Sequence, residues 1–100
     1  MLHTVNKSPF ERNTLDSCLR VAKAGSAILL IEDAVYAALA DTEIASKVKD
    51  KMNDYKFYVL EPDVKARGLS GKTLVDGITV VDYAGFVDLT VEHESVQSWL

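Results

Sequence analysis

Five consecutive apolar residues, Ala27-Ile-Leu-Leu-Ile31, constrain this chain more than any other feature. Side chains along a strand point alternately to its two faces, so a half-exposed strand alternates apolar with polar residues. This run does not alternate. It is the pattern of a strand covered on both faces, which in small domains means a parallel sheet between helical layers. Five residues also fall far short of the roughly 20 needed to cross a bilayer.

The rest of the chain alternates in type around that strand. Leu2-His-Thr-Val5 is short and β-prone, and Asn6-Lys-Ser-Pro9 breaks it. Asn13 or Thr14 can cap a helix in which Leu15, Cys18, Leu19 and Ala22 recur at helical spacing, with Gly25 beyond its end. Glu32-Asp33 closes the central strand, and Asp33 can begin a short helix through Leu39. Thr42 to Met52 reads as an amphipathic helix with Ile44, Val48 and Met52 on one stripe and a Glu43–Lys47 pair one turn apart. Lys56-Phe-Tyr-Val-Leu60 is a third strand, again without alternation. Pro62 suits the first turn of a short helix that Arg67-Gly68 would end. Gly77 opens a fourth strand, Ile78–Val81, and Tyr83 to Glu92 forms a helix with Phe86, Val87, Thr90 and Val91 on its apolar face. Strands alternating with helices predict a single α/β domain over residues 1–100, a small three-layer doubly wound fold whose mainly parallel sheet carries helices on both faces.

Composition narrows the function classes. At 100 residues there is room for one core, and 48% apolar content with 5 Gly and 2 Pro excludes a low-complexity chain. One cysteine cannot make an internal disulfide. The net charge is −4, and after Lys72 five carboxylates follow with no basic residue. A phosphate backbone is held by clustered Lys and Arg, so direct nucleic-acid binding is not expected. The opening residues have neither a basic n-region nor a long apolar segment. A cytoplasmic location, with no membrane association, is the expectation.

Few residues can carry chemistry. Cys18 is the only thiol. It is either a small buried hydrophobe, as its apolar face implies, or a reactive thiolate helped by Arg20 and Lys23. His3 and His93 form no zinc-ligand spacing with it, and His3 on a strand reads as a satisfied core or edge histidine. A Cys18–His pair would require the fold to bring the two together. Asp33 and Asp82 end predicted parallel strands, where doubly wound sheets hold ligands, although aspartate there is also a good helix cap. Ser70-Gly-Lys-Thr73 has the end of a phosphate-loop signature without its first glycine, since position 66 is Ala. Trp99 either docks on its own domain or anchors another subunit.

Four segments carry a resemblance to a known family. Met1-Leu-His-Thr-Val-Asn-Lys-Ser-Pro-Phe10, Leu29-Leu-Ile-Glu-Asp-Ala-Val-Tyr-Ala-Ala38, Tyr58-Val-Leu-Glu-Pro-Asp-Val-Lys-Ala-Arg-Gly68 and Val81-Asp-Tyr-Ala-Gly-Phe-Val-Asp-Leu-Thr90 resemble the DsrH/TusB family of sulfur-relay subunits. The resemblance runs nearly end to end and is weak only over Ala40–Asp54. It implies a DsrE/DsrF/DsrH-like fold and a place in a two-of-each heterohexamer with DsrE/TusD-like and DsrF/TusC-like partners. It also implies a DsrC/TusE-like acceptor protein, persulfide sulfurtransferase chemistry, and no metal or organic cofactor. In the Tus branch the sulfur ends in tRNA wobble 2-thiouridine; in the Dsr branch it serves sulfur oxidation. The principal sulfur-accepting cysteine of such complexes is on the DsrE/TusD subunit. Cys18 matches a first-helix cysteine of DsrH-like chains, which favours that branch and makes Cys18 the candidate catalytic residue, a secondary sulfur carrier. The alternatives are a TusB-like subunit or a purely structural one.

Overall fold

The computed structural model describes all 100 residues. Five strands, β1 (Leu2–Val5), β2 (Ala27–Leu30), β3 (Lys56–Leu60), β4 (Thr79–Val81) and β5 (Val96–Trp99), form one sheet in the order β4-β3-β2-β1-β5. Every pairing is parallel. The helices are α1 (Thr14–Val21), a 3-10 helix (Glu32–Ala38), α2 (Ala45–Lys51), α3 (Glu61–Ala66) and α4 (Tyr83–Glu92).

Strand order explains the layers. The chain steps from β1 to β2 to β3 to β4 in one direction, and right-handed crossovers then put every intervening helix on one face. To reach β5 it must return across three strands, in the opposite sense, so α4 lies on the other face. The two cores match this asymmetry. One has 19 buried residues, including Val5, Leu15, Cys18, Ile28, Val48 and Val59. The α4 side has four, Leu2, Ala27, Leu29 and Leu89. All four residues of β2 are buried, alternately feeding the two cores, as its unbroken apolar run requires.

Local expectations fare unevenly, for physical reasons. Asn13 sits at the N-cap of α1, but its side chain makes no capping bond. The second amphipathic helix begins at Ala45 rather than Thr42, whose hydroxyl instead donates to the Leu39 carbonyl. Glu43 therefore lies outside the helix, and Lys47 pairs across elements with Asp16 of α1 at 2.7 Å. Pro62 is in the first turn of α3, and Gly68 follows its end at φ +69°, a left-handed conformation natural to glycine. The C-terminal end of α1 is tied down by Tyr55, whose hydroxyl lies 2.8 Å from the Ala22 carbonyl and 3.2 Å from that of Leu19.

Two differences are larger. The last residues form β5, a strand that local sequence pattern does not announce; β1 supplies its ladder, with Leu2 opposite Val96 and Val5 opposite Trp99. The apolar face of α4 is also not the expected one. Leu89 is buried and Phe86 half-buried against the sheet, while Val87 and Val91 point to solvent, 59% and 79% exposed, with Tyr83 at 61%. Those three residues, four apart, form an apolar stripe on the outer surface.

Candidate functional site

Cys18 faces inward from the second turn of α1 and is 0% exposed. It belongs to the larger core, with Val5, Leu15 and Ile28 in the same cluster. Burial pushes its thiol pKa up from 9.0 to about 12, because no water remains to stabilise the thiolate. The cations expected to favour the thiolate do not reach it. Arg20 turns outward and hydrogen-bonds the Ser17 hydroxyl at 3.3 Å, and Lys23 is exposed beyond the helix end. In this conformation Cys18 is a protonated thiol that a donor persulfide cannot approach.

The histidines lie elsewhere. His93 Nδ1 is 2.8 Å from the Leu89 carbonyl at the end of α4. His3, on β1, is 3% exposed. Its Nδ1 accepts the indole N–H of Trp99 at 3.0 Å, with the two ring centroids 6.2 Å apart. An indole N–H can only donate, so Nδ1 must be bare and the neutral ring carries its proton on Nε2. Burial lowers the His3 pKa below 6.5, and the amino-terminal charge lowers it further. Trp99 thus docks on its own domain, half-buried against the larger core. No hydrogen bond links Cys18 to either histidine.

At the carboxyl ends of the strands, where open α/β sheets hold ligands, the acidic residues have structural partners. Asp33 receives the Arg67 Nε–H at 2.9 Å. Asp82 caps α4, its Oδ1 accepting the Gly85 N–H at 2.8 Å. Asp63 Oδ2 accepts the Glu32 N–H at 2.6 Å, in a turn where Glu32 takes the left-handed φ of +49°. Only Asn6, just past β1, has a buried acceptor without a partner, its Oδ1. The sequence offered no sign of that orphan or of the Glu32–Asp63 bond, since both depend on how loops from distant strands meet.

Ser70 and Lys72 lie on the wall of a cleft of about 410 Å³ beside α3 and β4, with Glu61, Lys65 and Val80. The segment Ser70–Thr73 leads to an isolated bridge, Leu39 to Leu74, rather than into a helix, so it does not build a phosphate loop.

Comparison with known proteins gives a consistent picture. The family described as DsrH like protein matches residues 7–96. Protein TusB of Pectobacterium parmentieri is 38% identical over 99 residues, which is 99% of this chain and 100% of that protein. Protein TusB of Yersinia pestis (strain Pestoides F) is 40% identical with the same coverage. Among solved structures, the YchN protein from E. coli superposes with a TM-score of 0.82 over 97% of both chains at 18% identity. MTH1491 from Methanobacterium thermoautotrophicum, a protein of unknown function, does so with a TM-score of 0.71 over 97% and 96% at 15% identity. These two structural likenesses speak to the fold alone.

Proposed function

This chain belongs to the DsrH family, and on that premise we propose that it is a TusB-type subunit of a sulfur-relay assembly, supplying surface to the complex while a partner carries the principal persulfide cysteine. The sealed position of Cys18 carries this reading: a fully buried thiol with its pKa near 12 is a core side chain, not an acceptor at neutral pH. Its relatives of matching length bear the name TusB, which favours the tRNA-thiolation branch over the sulfur-oxidation branch that Cys18 pointed to. The outward stripe of Tyr83, Val87 and Val91 supports a subunit role as well. Burying a valine or tyrosine side chain contributes roughly 1.5–3 kcal/mol, and a partner lying on α4 would gain it.

DsrE/TusD-like and DsrF/TusC-like chains are the partners in this reading, and a DsrC/TusE-like protein is the acceptor. The test is a reconstituted complex assayed for sulfur transfer from a persulfide donor to that acceptor, with wild-type chain and Cys18→Ser compared. The expected result is unchanged flux and unchanged native mass. Loss of flux with the complex intact would sink the structural reading.

A second reading keeps Cys18 as a secondary carrier in a DsrH-like, sulfur-oxidising complex, and its place in the first helix favours it. The Cys18 thiolate would attack the outer sulfur of a donor persulfide, the donor S–S bond would break, and the donor would leave as a thiolate. The new Cys18 persulfide would pass its outer sulfur to an acceptor thiolate in the same way. This requires α1 to move and uncover Cys18. Trapping of a persulfide on Cys18 in the assembled complex would support it.

A further inference from the structure

At the amino end of the sheet, away from the strand ends already described, a half-open pocket of about 570 Å³ lies between β1, β5 and the segment that follows α1. Its lining includes the apolar Met1 and Val21, the segment Ala22 to Ser26, and His3. The volume is in the range of small-molecule sites. Its chemistry is set by three observations.

First, His3 is buried, and its orientation is fixed by the Trp99 bond to Nδ1. That bond leaves Nε2–H as a donor, and Nε2 makes no hydrogen bond within the chain. The pocket is where the ring meets open space. Second, Ser26 also lines the pocket, and its hydroxyl, which is not sealed from solvent, makes no hydrogen bond within the chain. Third, the pocket has Lys23 and no carboxylate among its nine lining residues, in a chain with 15 acidic residues and a net charge of −4. A neutral donor on the His3 ring, a hydroxyl and the ammonium of Lys23 among the lining residues favour a negatively charged acceptor. Val21, Ala22 and Met1 favour an apolar body attached to it.

We propose that this pocket binds a small amphiphilic organic anion, with a carboxylate facing His3 Nε2–H and Lys23 and a short hydrocarbon body along Val21 and Ala22. The site is independent of Cys18 and of the outer face of α4. Trp99 acts as its positioning residue: by donating to Nδ1 it holds the histidine in the tautomer that offers a proton to the pocket.

The test is an NMR titration of the full 15N-labelled chain at pH 7.5 with hexanoate, hexan-1-ol and inorganic phosphate as separate probes. The single Trp gives one indole N–H signal, which reports on the His3 bond from inside. Hexanoate is expected to shift that signal and the amides of residues 23–26 saturably. Lys23→Glu, a substitution at an exposed position, is expected to weaken hexanoate about fivefold while the rest of the spectrum stays in place. Hexan-1-ol and phosphate should each bind more weakly than hexanoate and respond to only one half of the site. The proposal is overturned if hexanoate gives no saturable shift at these residues. It is equally overturned if hexan-1-ol or phosphate alone matches hexanoate, or if Lys23→Glu leaves hexanoate affinity unchanged.

Discussion

Trp99 donates its indole N–H to Nδ1 of His3 at 3.0 Å, a bond between residues 96 apart that fastens the last strand to the first. β5 is otherwise an exposed edge, with Val96, Gln97 and Ser98 open to solvent and only β1 beside it. An edge strand at a chain end frays unless something fixes it. Here a side-chain bond reinforces the backbone ladder.

Trp99→Phe keeps an aromatic ring and removes the donor, leaving His3 Nδ1 buried without a partner. The expected cost is about 1–2 kcal/mol, read as a lower urea midpoint with unchanged slope. Hydrogen exchange at residues 96–99 should quicken together with it. An unchanged midpoint would show that the ladder alone secures β5.

Acid should loosen the same contact. The His3 pKa is depressed in the folded state, by burial first and by the amino-terminal charge second, so the unfolded chain takes up the proton more readily. The contribution of neutral His3 is complete above pH 6.5. It declines as pH falls below 6.5 and is lost once the folded-state pKa is passed. His3→Gln should flatten this limb of the stability profile, and a limb of the same slope in the variant would assign it to other groups.

Cys18 predicts the opposite limb. Its thiol pKa rises from 9.0 to about 12 on folding, so between those pH values the unfolded chain ionises first and stability falls as pH rises. The slope from this group approaches about 1.4 kcal/mol per pH unit. Cys18→Ala should remove that component while costing about 1 kcal/mol at pH 7 for the missing sulfur. Thiol reagents should label the native isolated chain only as fast as it opens, which a stopped labelling series measures against an unfolded control.

Gly85 gives a test of packing against propensity. Alanine is the better helix former by about 1 kcal/mol, yet a Cβ at Gly85 would lie 2.9 Å from the Cβ of Val81. That neighbour is held by β4 and cannot swing aside as a flexible side-chain end would. Gly85→Ala is expected to destabilise the chain by about 1–2 kcal/mol despite the gain in propensity. A raised thermal midpoint would mean that α4 moves outward at little cost.

Much of the architecture is legible because its causes are local. The unbroken run Ala27–Ile31 announces a strand with two covered faces, and β2 is buried along its whole length. Pro62 and Gly68 mark the two ends of α3, since one fixes φ and the other accepts a positive φ. The position of Asp82 at a strand end suits both a ligand edge and a helix cap, and its bond to the Gly85 N–H assigns it the second task. The Glu43–Lys47 spacing is equally local, but the pair does not form, because Lys47 meets Asp16 from another helix.

The parallel α/β plan, the family and the approximate limits of most elements are written in the order of residues along the chain. Periodicity, turn residues and motif order all act within a few positions of one another. The face of α4, the existence of β5 and the state of Cys18 follow instead from packing between segments far apart in the chain. Residues 83–91 are apolar nearly all round, so helical period cannot choose between the Phe86–Leu89 face and the Tyr83–Val87–Val91 face. The return path over the sheet chooses. Val96–Trp99 becomes a strand because β1 has a free edge and His3 an open acceptor. Cys18 is held protonated because its burial is built by β1, β2 and α1 together, and desolvation depends on who the neighbours are rather than on where they stand in the chain.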